Sequence, residues 1–63
     1  MIKMAARFEI RPSENKQFYF VLISGNNEVI ATSEMYTTKA MCKNGIAAVK
    51  RDAPNAPIVD KTI

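Results

Sequence analysis

A chain of 63 residues allows one domain and no more. It is 48% hydrophobic, with nine Lys and Arg against six Asp and Glu, which excludes a disordered tail; the formal charge of +3 is too mild for a nucleic-acid arm. One cysteine, Cys42, and no histidine exclude an internal disulfide and leave too few ligands for a zinc cage, so neither metal nor cofactor is expected.

The first residues, Met1 to Ala6, contain no apolar run long enough for a signal peptide, and no segment is long enough to span a membrane. With a lone cysteine, the expected location is the cytoplasm. Residues 1–63 read as one domain, with 1–6 an N-terminal extension and 7–63 the core. Phe8-Glu9-Ile10-Arg11 alternates apolar and polar side chains, the pattern of a half-buried strand. Pro12 cannot donate a ladder hydrogen bond and marks that strand's end or a sheet edge. After the polar turn Ser13-Glu14-Asn15-Lys16, the run Phe18-Tyr19-Phe20-Val21-Leu22-Ile23 is aromatic and β-branched and predicts a second strand. Ser24-Gly25-Asn26-Asn27 supplies a tight turn, because Gly and Asn tolerate positive φ, and Glu28-Val29-Ile30-Ala31-Thr32 predicts a third strand. Three short strands joined by tight turns make an antiparallel meander.

Thr37 or Thr38 can cap a helix running to about Arg51 or Asp52, since a hydroxyl there accepts a bond from an otherwise unpaired N–H. At about 100° per residue, Cys42, Ile46, Val49 and Ala53 share one stripe, flanked by Met41, Gly45 and Ala48. Gly45 inside the helix costs about 1 kcal/mol against alanine, and the expected return is close approach to a neighbouring backbone. Pro54 and Pro57 end the helix, and Ile58-Val59-Asp60-Lys61-Thr62-Ile63 reads as a short final strand.

Side chains on a strand alternate between faces. Phe18, Phe20 and Leu22 share one face of the second strand; Tyr19, Val21 and Ile23 share the other. One helix covers only one face, so Tyr19, Val21 and Ile23 are expected as an apolar patch that something must cover. A second copy of the chain is the simplest cover, giving a homodimer or higher even oligomer. Ile2 and Met4 from the N-terminal segment are the alternative. Size argues the same way, because a domain this small buries only about 60% of the surface its unfolded chain exposes.

No residue pattern carries a reaction. Cys42 lies in the apolar stripe with no histidine to act as its base, so it reads as a buried structural thiol. Ser33 lacks a positioned base, and Glu34 near the helix N-terminus answers the macrodipole. Lys39, Lys43 and Lys50 fall within about 40° of each other on the helix. With Arg51 they form a candidate anion-binding ridge for a nucleic acid or other polyanion; the plainer reading is lysines snorkelling over the core's edge.

Phe8-Glu9-Ile10, Phe18, Phe20 and Leu22, Glu28-Val29-Ile30-Ala31, Ser33-Glu34 with Tyr36, then Cys42, Gly45-Ile46, Val49 and Asn55-Ala56, in that order and spacing, resemble the YegP-like family over residues 8–60. The resemblance implies an α+β unit of order β-β-β-α-β, occurring as a tandem repeat or as a dimer of single units that form one continuous sheet and exchange C-terminal strands. It brings no established biochemical activity. The family's usual Asn-Gly turn is Asn26-Asn27 here, and Val21 and Ile23 stand where basic residues often occur on the second strand. The residues make their own case for exchange. Pro54 and Pro57 stiffen the connector, which favours delivering Ile58, Val59 and Ile63 to a neighbour's sheet. The expectation is a non-enzymatic homodimeric structural or interaction module, with polyanion binding as the rival class.

Overall fold

A computed structural model describes residues 5–62. Strands β1 (Arg7–Pro12), β2 (Phe18–Ile23) and β3 (Val29–Thr32) form one antiparallel sheet in the order β1-β2-β3, followed by helix α1 (Lys39–Asp52) and a 3-10 turn, Ala53–Asn55. The aromatic run lies at the centre of the sheet. β1 is one residue longer at each end than the alternation indicated, with Pro12 as its last residue, opposite Phe18.

Both turns use residues in the left-handed region. Lys16 has φ 59°, and the turn closes with the Ser13 N–H donating to the Gln17 carbonyl at 2.9 Å. In the second turn Asn27 takes φ 68°, while neither glycine has positive φ. Asn accepts that conformation because its side chain bonds locally, so the turn forms without Asn-Gly. β3 carries a bulge: Leu22 opposes Ala31 but Ile23 opposes Val29, leaving Ile30 as the extra residue.

Beyond β3 the chain stays stitched to β2. The Ser33 N–H donates to the Phe20 carbonyl at 2.9 Å while the Phe20 N–H donates to Ser33 Oγ at 2.9 Å. Tyr36 and Phe18 then exchange two backbone bonds of 2.7 and 2.8 Å. This places Tyr36 on the helix side, where its ring stacks on Phe20 with centroids 6.2 Å apart; Phe8 meets Phe20 edge-on at 5.8 Å. Thr38 caps α1, its Oγ1 accepting from the Met41 N–H at 3.1 Å.

The helix buries Cys42 completely and turns Gly45, Ile46, Ala48 and Val49 inward, whereas Met41 and Ala53, read as part of the stripe or its flank, are exposed. Gly45 is required by a side chain and not, as expected, by a neighbouring backbone. A Cβ there would lie 2.8 Å from Tyr36 Cζ and 3.1 Å from Phe20 Cε2, and closer still to the Tyr36 hydroxyl. The helix packs on β2 and β1 and does not reach β3.

Candidate functional site

The helix lysines do not stand free as a row. Lys39 Nζ sits 5.8 Å from the centroid of the Phe18 ring, and Lys50 Nζ 5.8 Å from that of Phe8. Both ammonium groups rest on the faces of aromatic rings at the rim of the core, which combines a cation–π attraction with stems lying along apolar surface. Lys43 is exposed between them. Arg51 is turned to Asp52, its Nε donating to Oδ1 at 3.1 Å. Lys50 also borders an open groove of about 320 Å³ between the end of the sheet and α1, floored by Phe8, Leu22 and Ile46.

On the face away from the helix, the expected apolar patch is not open. Val21 is 2% and Ile23 3% exposed within a single chain, and Tyr19 is half-buried. The register sets Glu9 beside Val21, Arg7 beside Ile23 and Arg11 beside Tyr19. Glu9 accepts from Arg7 Nε at 2.9 Å and from Arg11 Nε and Nη2 at 3.2 and 2.9 Å. Arg7 Nη2 donates to Asn27 Oδ1 at 3.0 Å, which ties the side chain opposite Ile23 to the second turn. Long side chains from the edge strand thus flank the apolar centre. Ile2 and Met4, the alternative cover, lie outside the described residues. The Arg7-Glu9-Arg11 ladder was missed in the sequence, although the signal was there: opposite charges two apart on a strand share a face. The guanidiniums of Arg11 and Arg7 hold the Glu9 carboxyl below the ordinary carboxylate range.

The groups with nucleophilic chemistry are committed elsewhere. Burial pushes the Cys42 thiol upward, away from the reactive thiolate. Ser33 Oγ accepts from the Phe20 N–H and donates to the Glu34 carbonyl at 2.8 Å. Among the described residues, no group of three or more Cys, Asp or Glu side chains is placed to hold a metal ion.

The C-terminal segment is the unusual surface. Past Asn55 the described residues pair with no strand, Ile58 is 95% exposed and Val59 71%. The side-chain bonds found there are local: Asp60 Oδ1 accepts from the Thr62 N–H at 2.9 Å and Oγ1 at 2.6 Å. Ile63 lies outside the described residues. β3 is the second bare surface, with all four residues exposed, Val29 at 51% and Ile30 at 62%.

Residues 13–60 match the family described as a domain of unknown function, DUF1508. The chain is 46% identical over 57 residues to a UPF0339 protein of Treponema denticola, covering 90% of this chain and 98% of that one. The chain belongs to this YegP-like family. It is 45% identical over 58 residues to the UPF0339 protein YegP of Escherichia coli K12, covering 92% of this chain but 53% of YegP, so it spans about half the length of that relative. A solution structure of a protein from Haloferax volcanii superposes with a TM-score of 0.81 at 31% identity, over 90% of this chain and 97% of that one. These likenesses bear out the α+β unit of three antiparallel strands and a helix. The family is one of unknown function, and no helix among the described residues is long and apolar enough to cross a membrane.

Proposed function

We propose that this chain is a non-enzymatic, cytoplasmic structural or interaction module that works as a homodimer, each subunit lending the segment from Ile58 onward to the other. The observation that carries this reading is the bare C-terminal arm, with Ile58 at 95% and Val59 at 71% exposure directly after two prolines. Apolar, extended backbone left in water wants a sheet to join. The lengths of the relatives support a paired unit as well. One relative is matched over 98% of its length, whereas YegP is about twice as long as the matched segment, which leaves room for a second unit in one chain.

The absence of chemistry in this proposal rests on how the reactive groups are occupied: a buried thiol, a serine hydroxyl held by backbone, and a carboxylate between two arginines. Lys39 and Lys50 over aromatic rings support the snorkelling reading of the helix lysines. Sedimentation equilibrium at low micromolar protein is expected to return twice the chain mass, or an even multiple of it. Ending the chain after Ala56 is expected to remove the dimer and much of the fold together. A clean, stable full-length monomer overturns the proposal, and so does a truncated chain that dimerises with unchanged affinity.

A further inference from the structure

The helix side of the sheet closes over Phe20 but not over the next residue of β2 on the same face. Phe20 is 6% exposed, whereas Leu22 and its register partner Phe8 are half-buried, as is Ile46 on α1. Gly45, with no side chain, lets α1 lie close over Phe20 and Tyr36; next to Ile46 lies the groove of about 320 Å³. That volume is at the small end of ligand sites, which run from roughly 300 to 1,000 Å³. Three apolar side chains left half in water along one groove are a surface that a ligand's hydrocarbon can dry.

The charge on that groove has one sign. Its charged lining residues are Arg7 and Lys50, with no carboxylate among them. The Arg7 guanidinium is held by Glu9 and Asn27, while Lys50 Nζ stands 5.8 Å from the centroid of Phe8, at the rim of the groove. None of the salt bridges found among the described residues involves Lys50. The larger groove, of about 410 Å³ at the first turn, has Glu14 as its one charged lining residue and would repel an anion. We propose that the groove between β1, β2 and α1 binds a small amphipathic carboxylate, its hydrocarbon on Phe8, Leu22 and Ile46 and its head at the Lys50 ammonium. The inference is independent of the dimer proposed above. An inorganic phosphate has nothing to lay on the apolar floor, and a neutral chain gains nothing from the ammonium. Lys50 is exposed, so the head adds a preference and the chain supplies most of the affinity.

Titrating the isotope-labelled full-length protein with hexanoate, heptanoate, octanoate and octanol, at low salt and below micelle formation, tests both halves. Octanoate is expected to give saturable NMR shifts centred on Phe8, Leu22 and Ile46. Each CH₂ added from hexanoate to octanoate is expected to tighten binding by about fourfold. Octanoate is expected to bind roughly two- to fivefold more tightly than octanol, and Lys50→Met to erase that preference while keeping the dependence on chain length. Octanol binding as tightly as octanoate to the parent protein overturns the role of Lys50. Shifts that do not saturate, or that centre away from the groove, overturn the site. So do NOEs from Ile2 or Met4 to Ile46 in a protein that octanoate leaves unshifted, because the chain's own N-terminal segment then fills the groove.

Discussion

Gly45→Ala sets helix propensity against packing with opposite signs. Propensity alone makes alanine better than glycine inside a helix by about 1 kcal/mol. Packing opposes it, because the added Cβ would lie 2.8 Å from Tyr36 Cζ and 3.1 Å from Phe20 Cε2. Comfortable carbon contacts are about 3.5–4.0 Å, so ring or helix must move by roughly 1 Å. The Tyr36 ring has little freedom to do so: it stacks on Phe20, and its backbone is tied to Phe18 by two hydrogen bonds. Overpacking of this kind costs about 1–3 kcal/mol, which leaves a net loss of roughly 0–2 kcal/mol after the propensity gain. Urea unfolding at one fixed protein concentration measures it, since an assembling protein's stability depends on concentration. Tyr36→Phe removes the nearest atom, so Gly45→Ala is expected to cost less in that background than in the parent. If Gly45→Ala raises stability by about 1 kcal/mol, as at an unhindered helix site, the Tyr36 contact is not what selects glycine here.

Cys42 is expected to react with a thiol reagent on the order of a hundredfold more slowly in the native protein than in denaturant, because burial raises its pKa and closes access. Cys42→Ser is expected to cost about 1–3 kcal/mol by burying an unpartnered hydroxyl, and Cys42→Ala less; rapid native labelling would show the helix face to be misplaced. The Glu9 carboxyl, held low by Arg11 and Arg7, binds its proton more weakly folded than unfolded. Its contribution is therefore full above the unfolded value of about 4.3 and is lost as pH falls through the lower folded value. Denaturation midpoints measured from pH 6 downward are expected to fall less steeply for Glu9→Gln than for the parent, and identical slopes would show that the ladder adds nothing.

The strands and the helix were legible because each rests on a local signal. The run Phe18–Ile23 has no plausible state but a central strand, and the Thr38 hydroxyl beside an apolar helical stripe fixes where α1 starts. What local patterning could not supply was the lateral neighbour. The face carrying Tyr19, Val21 and Ile23 reads as apolar from β2 alone; only the register reveals that Arg7, Glu9 and Arg11 stand beside it. Gly45 shows the same limit. Its position in a helix signals a close approach, but that the approaching group is the Tyr36 ring follows from a backbone bridge nine residues earlier in the chain. The lysine row was legible as a row, while its engagement with Phe8 and Phe18 depended on where the helix crosses the sheet.

The proposed exchange has a magnitude that explains why paired units would come in two lengths of chain. Fully burying an Ile or Val side chain stabilises by about 1.5–3 kcal/mol, so two arms carrying Ile58 and Val59 contribute roughly 6–12 kcal/mol. Bringing two free chains together costs about 4–15 kcal/mol in lost translation and rotation. Side-chain burial is thus of the same size as the association cost, and under the proposed exchange the sign is decided by ladder bonds to the receiving sheet, each worth about 0.5–1.5 kcal/mol net. A single-unit chain held this way has a stability that rises with its concentration. Joining two units in one chain replaces the association cost by loop closure, which grows by only about 0.6 kcal/mol for each doubling of loop length. Under the proposed exchange, the contacts of a chain with two units would hold at any dilution, whereas those of single-unit chains would depend on their concentration.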